Sequence, residues 1–501
     1  MCSSNNRSQR WATLSIVFSV FSLFSVVSQA ETVKVLSEAA QSVGGAPDDA
    51  VGDRPVVVVC VGLNAKATGQ DDPATPPTQQ EIEQNLTPDE ADLLRRCADV
   101  IQAGGLGIQA QEATPEDNAE AEIALRQIAP DEIAAQGTTS VRAVNSQQSN
   151  VASRIAALQS GLRGFSVRRL SLRSADSRLA GNDLQQLAGG AAGDDAAPTR
   201  LGVFLSGDLS TGDKDETSRA AGFDFDTQSF TVGVDYFLDA NAFVGVALGV
   251  NKINMDIDNN GGGLDTDNLS LSLYGSVFRK NNFYVNGFFD FSSSDFESRR
   301  NMNYTLDETT GGCCVVTEAG RVTVKQTAIG KTDGKLSTAS LNMGYERNKG
   351  ALSYGPTLDL TYSSLTIDQF SEEMSDPAST GRGLALTYLE QDVDSLRSVL
   401  GFKVNHVRSM SWGVLSKQLR AGWHHEFKDD ARAIRSFYKF DPGQTVMSLT
   451  ADKPDADFYS LAFDLSAGFA GGRSAFISYA TLLGLDNVSV NQLSAGVRFE
   501  F

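Results

Sequence analysis

The last six residues, Gly496-Val497-Arg498-Phe499-Glu500-Phe501, alternate in character and end on an aromatic ring. In a β-strand, Val497, Phe499 and Phe501 would point to one face, and the three residues between them to the other. One face is apolar, and the other carries a glycine and two charges. Such a strand is typical of the end of a β-barrel in a bacterial outer membrane.

Similar segments of about ten alternating residues recur from about Arg200 onward, the length that a tilted membrane strand needs. In one of them, Val244, Val246, Leu248 and Val250 alternate with small or polar residues. We recognise twelve such segments. They predict an all-β fold, a twelve-stranded antiparallel outer-membrane β-barrel over residues 200–501.

The connections between these segments form a second pattern, in which tight turns alternate with long polar stretches. The predicted tight turns are Asp239–Asn241, Lys280–Asn281, Arg347–Gly350, Arg408–Ser411 and Gly471–Arg473. The predicted long stretches are Thr211–Asp226, Asp256–Asp267, Ser298–Gly334, Thr366–Asp392 and Lys428–Ala456. Outer-membrane barrels have short periplasmic turns and longer outer loops. A soluble β-sandwich has no reason to follow this rule, so we favour the membrane barrel.

The N-terminus has the pattern of a secretory signal peptide over residues 1–30. Arg7 and Arg10 precede an apolar run, and Ser28-Gln29-Ala30 offers a cleavage site after Ala30. The alternative is a retained membrane anchor, but the run is short for a spanning helix and is diluted by serines. We therefore expect export through the Sec translocon.

Composition and charge exclude several functions. The net charge of −20 argues against binding to nucleic acid. The only histidines, His406, His424 and His425, lie in or beside predicted barrel strands, so the N-terminal region cannot host histidine-based catalysis or a His-ligated zinc. No phosphate loop or hydrolase motif is present. We predict no catalytic residues, no metal site and no cofactor.

A helix is predicted over residues 141–163. Its apolar positions, Val141, Val144, Val151, Ile155, Leu158 and Leu162, lie on one face, and its other face is polar. The length of about 33 Å at 1.5 Å per residue is close to the thickness of a bilayer core. We favour a helix inside the pore over a coiled-coil stalk or a helix packed on a periplasmic domain.

The region between the signal peptide and this helix, residues 31–140, is predicted to be a small α-rich module. Thr87-Pro88-Asp89-Glu90 forms a capping box that begins a helix, and Pro55–Cys60 resembles a buried strand. Cys60 and Cys97 are a candidate disulfide, the alternative being two unpaired buried thiols. Residues 164–199 are predicted to be a flexible linker.

Together these features resemble the autotransporters, the type V secretion family. Local sequences that carry the resemblance are Gly222–Thr227, Gly233–Tyr236, Leu271–Gly275 and Trp423–Phe427. The resemblance implies periplasmic chaperones and a barrel assembly machinery that reads the last strand, here Gly496, Val497, Phe499 and Phe501. It also implies that the N-terminal region passes outward as a passenger, although this region is short and has no repeat.

Polar residues of the predicted strands should face the lumen. They are Arg420, His424, Glu426, Asp464, Arg498 and Glu500. They could bind the helix, or cleave it at Asn145 or Asn150, as the resemblance would suggest. The helix lacks the Asn-Asn pair of self-cleaving family members, and barrel interiors are polar in any case.

Two further patterns carry no functional prediction. Asp256–Asp267 mimics a calcium loop, but strands flank it and the twelfth position lacks Glu, so a solvated acidic hairpin is favoured. Cys313 and Cys314 could form a strained bridge or a reactive pair.

The sequence therefore predicts a monomeric outer-membrane translocator, held in lipid and lipopolysaccharide, that displays its short N-terminal region at the cell surface. One alternative is an adhesive or structural barrel that acts through its outer loops. A second is a barrel-embedded hydrolase.

Overall fold

The computed structural model describes most of the chain from Pro55 onward. The described residues are 55–69, 77–103, 120, 123–124, 127–128, 131–159, 165–167, 171–174, 200–214, 216, 221–278, 282–307, 321–451, 453–469, 473–484 and 490–499.

Four helices precede the strands in the described part of the chain. Their bounds are α1 Pro55–Thr68, α2 Gln79–Asn85, α3 Pro88–Ala103 and α4 Asp131–Gln159. None of the described helices is long and apolar enough to be a candidate membrane span.

The strands that follow form one large sheet and one small sheet. In chain order they are β1 Phe165–Val167, β2 Ser171–Ser174, β3 Leu201–Lys214, β4 Phe223–Asp239, β5 Ala242–Ile257, β6 Gly262–Phe278, β7 Phe283–Asp307, β8 Arg321–Tyr345, β9 Arg347–Lys349, β10 Leu352–Ile367, β11 Phe370–Ser371, β12 Glu373–Met374, β13 Leu386–Tyr388, β14 Gln391–Met410, β15 Gly413–Glu426, β16 Ala433–Tyr438, β17 Met447–Thr450, β18 Asp457–Phe469, β19 Arg473–Leu483 and β20 Val490–Phe499.

The large sheet has sixteen described strands, of which twelve are long and antiparallel, each paired with the next long strand in the chain. Their order is β3-β4-β5-β6-β7-β8-β10-β14-β15-β18-β19-β20. The prediction of twelve antiparallel strands with helices in the N-terminal region is confirmed. The two short strands β1 and β2 lie in the segment predicted to be a flexible linker, and both pair in parallel with β3. Since β2 also lies beside β20, it occupies the seam between the first and last long strands.

The two faces of the long strands differ as the alternating sequence requires. On the outer face, Phe230, Leu248 and Leu271 are 46%, 52% and 43% exposed to solvent. On the inner face, Thr231 and Ser272 are fully buried. A continuous apolar band with polar residues behind it is the surface of a protein that is surrounded by lipid. We call this curved sheet the barrel.

Two predicted long loops are in fact strands. Asp256–Asp267 is the tip of a tight β5–β6 hairpin, in which Asp256 pairs with Gly263 and Lys252 with Asp267. The hairpin register places the acidic residues on separate rungs, so the calcium-like spacing does not form a loop. Ser298–Gly334 is mostly β7 and β8, which continue beyond the lipid band as a long hairpin. Its polar residues resemble a loop, but their alternation is preserved.

The connections at one end of the barrel are short turns, and the connections at the opposite end contain additional secondary structure. The strands β11, β13, β16 and β17 form the small sheet within the loops after β10 and β15. In outer-membrane barrels, the end that carries the long loops faces the cell exterior. We call residues 300–306, 324–328, 370–388 and 434–447 the crown.

The N-terminal region has the predicted helix start at Thr87, but it has a helix where the sequence predicted a strand. The predicted capping box of α3 is present: Thr87 N donates to the Glu90 carboxylate at 2.9 Å, and Glu90 N donates to Thr87 Oγ1 at 3.3 Å. Pro55–Cys60, however, is the first half of helix α1 and is not a strand. Proline is favourable at the first helical position, and the buried residues Val59, Leu63 and Ala67 repeat at helical spacing, so burial of one helical face overrides the strand preference of the valine run.

Candidate functional site: the helix-filled lumen and the covered mouth

Helix α4 lies inside the barrel along its length. Near its N-terminal end, Ile133 is fully buried in the same apolar cluster as the crown. Near its C-terminal end, Leu158 packs in a cluster with Phe237 and Phe243, which flank a tight turn. The helix therefore runs from the crown to the turn end. It begins at Asp131, ten residues before the predicted start.

Hydrogen bonds between side chains fix the helix to β3, β4 and β6, which lie on one wall of the barrel. Ser206 Oγ donates to Asn150 Oδ1 at 2.8 Å, and Asn150 Nδ2 donates to Thr231 Oγ1 at 3.0 Å. Thr231 Oγ1 donates to Gln147 Oε1 at 2.6 Å, and Gln147 Nε2 donates to Ser272 Oγ at 2.9 Å. These four bonds form one continuous chain from β3 to β6. The polar face of α4 therefore fits this wall in a single register.

A buried ion pair adds charge to this match. Arg154 Nε donates to Asp235 Oδ2 at 2.7 Å, and Arg154 Nη2 to Asp235 Oδ1 at 3.2 Å. The guanidinium also lies 5.6 Å from the centre of the Phe204 ring. The side chains of Arg154 and Asp235 are 3% and 0% exposed. A two-pronged pair of this kind specifies position as well as charge.

Glycines in the wall provide the space that the helix side chains occupy. A Cβ at Gly249 would lie 2.2 Å from Gln147 Oε1, and a Cβ at Gly202 would lie 2.5 Å from Arg154 Nη2. Either would displace a side chain that holds the helix. These two wall positions therefore form part of the site that receives α4.

A cavity of about 110 Å³ separates the helix from the opposite wall. Its lining includes Gln148 of the helix and charged residues of β10, β14 and β15, namely Asp359, Lys403 and Arg420. Lys403 pairs with Glu346 at 2.8 Å. The lumen is thus filled by the helix on one side and by paired polar groups on the other.

The residues predicted to face the lumen lie as follows. Arg420 donates to Asp464 through Nε and Nη2, at 3.1 and 3.3 Å, and Asp464 is fully buried. His424 is 1% exposed, contacts Ser460 Oγ at 3.0 Å and stacks on Phe458. The third residue, Glu426, lies near the outer end of β15.

At the outer end of β15, the Glu426 carboxylate accepts hydrogen bonds from Ser395 Oγ at 2.7 Å and from Leu396 N at 2.8 Å. Gly496, Val497, Arg498 and Phe499 lie in β20, and the side chains of this strand are outside the described residues. Ala30, Glu500, Phe501, Cys313 and Cys314 also lie outside them.

Of the two asparagines proposed as cleavage points, Asn150 has both ends of its amide engaged by the wall, as given above. The amide nitrogen of Asn150 is engaged as the donor to Thr231 Oγ1. Asn150 is therefore placed as an anchor of the helix. The side chain of Asn145 lies outside the described residues.

The crown end of the barrel is covered by α1, α2 and α3, which we call the module. The module and the crown share one apolar core with the first turn of α4. The module contributes Val59, Cys60, Leu63, Ile82, Leu93, Leu94 and Cys97, and the crown contributes Met302, Tyr304, Phe370, Tyr388, Ile434 and Tyr438. Helix α3 lies at the centre of this core.

A fully buried arginine joins the crown to the entrance of the pore. Arg300 donates to both carboxylate oxygens of Glu372, at 3.1 and 2.5 Å, and to the carbonyls of Ile128 and Leu384, at 3.2 and 3.1 Å. Burial alone would lower the pKa of Arg300, but the Glu372 and Glu132 carboxylates raise it above its ordinary value. The charged network therefore ties the crown loop to the chain just before and within α4.

The backbone of the crown loop also lies directly against α3. Asp92 accepts hydrogen bonds from Gly381 N at 3.2 Å and Gly383 N at 2.9 Å. A Cβ at Gly383 would lie 2.5 Å from Leu93 N and 2.6 Å from Asp89 O. Only glycine permits this approach without a shift of the loop or the helix.

The candidate disulfide between Cys60 and Cys97 is not formed in the structure. Both are buried in the shared core, and the Cys60 thiol points to the carbonyl of Leu94 at 3.8 Å, one helical turn before Cys97. The apolar core packs α1 against α3 without a bridge between these two residues. Within the described residues, no group of three or more His, Cys, Asp or Glu side chains could hold a metal ion.

Sequence and structure comparisons give the family. A family model described as the autotransporter beta-domain matches residues 203–480. Outer membrane protein B of Rickettsia prowazekii (strain Madrid E) is 26% identical over 176 residues, which are 34% of this chain and 10% of that protein. The chain thus spans about a tenth of the length of this relative.

Two solved structures are similar at low sequence identity. The translocator domain of the autotransporter NalP from Neisseria meningitidis is 17% identical with a TM-score of 0.42, covering 61% of this chain and 90% of that one. The beta domain of the Bordetella autotransporter BrkA is 16% identical with a TM-score of 0.37, covering 60% of this chain and 100% of that one. Because the family model covers more than half of its residues, this chain belongs to the autotransporter beta-domain family, and it is a protein of the bacterial outer membrane.

Proposed function

We propose that the barrel exports the chain's own N-terminal region and displays it at the cell surface, with α4 left behind in the pore. The observation that carries this proposal is the path of α4. Its first turn lies in the crown core and its last turn lies beside the short turns. A chain with this path has its module on the side of the long loops, which is the outer side of an outer-membrane barrel.

The fit between helix and wall supports an end state in which α4 stays in place. The Arg154–Asp235 pair and the chain of amide and hydroxyl bonds would each have to be broken for the helix to leave. The proposal includes no catalytic step. The proposed partners are lipid and lipopolysaccharide around the barrel, and the Sec translocon, periplasmic chaperones and the barrel assembly machinery on its route. We propose no nucleic-acid partner. We further propose that it acts as a monomer.

The adhesive alternative, in which the outer loops act alone, has less support. Phe370 and Tyr388, in the loop between β10 and β14, are buried under the module. Side chains in these positions are not accessible to a partner.

Labelling of intact cells tests the proposal. Cys313 and Cys314 are replaced by Ser, Cys60 and Cys97 stay buried in the core, and one new cysteine is placed at Glu83, an exposed residue of α2. The matched control is a cysteine at Ala240, an exposed residue of a short turn. A thiol reagent that cannot cross membranes should label Glu83→Cys on intact cells and Ala240→Cys only after permeabilisation. Labelling of Glu83→Cys only after permeabilisation would show that the module is not exported.

A further inference from the structure

The module and the crown do not have separate cores. Helix α3 is buried on almost its whole circumference, by α1 and α2 on one side and by the crown on the other. Without the module, Tyr304, Tyr388 and Tyr438 of the crown would lose their apolar surroundings. Since exposure of that much apolar surface to water is unfavourable, each part needs the other to fold.

Charged groups make this contact specific. The side chains of Asp92, Arg96 and Asp99 of α3 are 9%, 4% and 2% exposed, and Arg96 Nη1 lies 2.6 Å from Asp99 Oδ2. Asp92 also holds the crown loop through Gly381 and Gly383. Any arrangement that separates buried, hydrogen-bonded charges from their partners leaves an unpaired charge in the core, which is strongly destabilising. The contact is therefore a fixed docking site.

We infer that the exported module is retained as a lid, which folds together with the crown and closes the helix-filled mouth, and is neither released nor presented on a free stalk. This inference rests on the proposed export, because crown and module can meet only after the module has passed outward. It goes beyond export in naming the occupant of the crown surface, which is the module of the same chain, residues 55–69 and 77–103. Any surface partner would then meet the outer faces of α1 and α2, and not the loops.

The test uses two glycine substitutions in the full-length protein on intact cells. Gly383→Val should clash with the α3 backbone and undock the lid. Gly62→Ala is the matched control, because a Cβ at Gly62 meets nothing within 4 Å. Asp92→Ala, which removes the acceptor for two crown N–H groups, is the second undocking variant in case Gly383→Val fails to assemble.

Protease is added to the cells, and cleavage of the module and of loop 370–388 is followed with antibodies to each. We expect both to resist in the wild type and in Gly62→Ala, and both to be cleaved at least tenfold faster in an undocking variant. The inference of a lid is refuted if the wild-type module is cleaved as fast as in the undocking variants. It is also refuted if the module is cleaved in those variants while loop 370–388 stays resistant.

The Glu83→Cys label separates these outcomes from a failure of export. A module that is labelled on intact cells but digested as a free segment refutes the lid alone. A module that is not labelled refutes export.

Discussion

Replacement of Arg154 by Met should release α4 from the lumen. The Met side chain keeps most of the volume but leaves the Asp235 carboxylate fully buried without its partner. Removal of one partner from a buried, hydrogen-bonded pair costs about 3–5 kcal/mol. At 1.4 kcal/mol for each factor of ten, the population with the helix out of place should rise by roughly two to four orders of magnitude.

Single-channel conductance of the purified protein in a planar bilayer measures this population, since a lumen without its helix conducts ions. The matched control is Lys331→Met, which breaks the exposed pair with Glu297 and should cost at most about 1 kcal/mol. Adding Asp235→Asn to Arg154→Met removes the unpaired charge and should restore part of the closed state. Openings in Arg154→Met that are no more frequent than in Lys331→Met would refute the role assigned to the pair.

Three further predictions concern the lipid face, the module and its thiols. Leu271→Arg, on the lipid-facing side, should destabilise the barrel by about 2–4 kcal/mol in a urea titration in lipid, and an unchanged midpoint would contradict that orientation. Burial works to raise the pKa of Glu90, but hydrogen bonds from Lys66 and Thr87 outweigh it and lower the pKa below 4.5. The resulting stability of α3 is present above pH 4.5 and should be lost as the pH falls through the lowered value; amide exchange should show this loss in the wild type and not in Glu90→Gln. Cys60 and Cys97 should resist maleimide when folded and react without reductant after denaturation, whereas a mass two hydrogens lower would indicate a bridge.

Much of the barrel could be predicted because alternation along a strand is a local property. The run Val244–Val250 shows its lipid-facing side in the sequence itself, and the Thr87–Glu90 capping box marks the start of a helix within four residues. Where the local signal was ambiguous, the prediction failed. Val56–Val59 has the composition of a strand, and only the later spacing of Leu63 and Ala67 indicates a helix.

The partners of the helix could not be predicted from the sequence. Asn150 meets Thr231 and Ser206, which are 81 and 56 residues away, so their contact depends on the register of several strands at once. The docking of the module on the crown was missed for a related reason. Met302, Tyr304 and Leu306 alternate along an otherwise polar hairpin. Only when α3 is docked do these three apolar side chains have a core to pack into.

Cross-linking of the helix to the wall tests whether the chain is threaded through its own barrel. Cysteines at Asn150 and Ser206 replace two side chains that lie within 2.8 Å of each other, and a short bifunctional thiol reagent is applied to membranes in a background without the four other cysteines of the mature region. An internal cross-link should form between positions 150 and 206, and none between position 150 and a cysteine at Ala240 in the turn. Failure of the 150–206 pair to cross-link, in protein shown to be assembled in the outer membrane, would mean that α4 does not occupy the lumen.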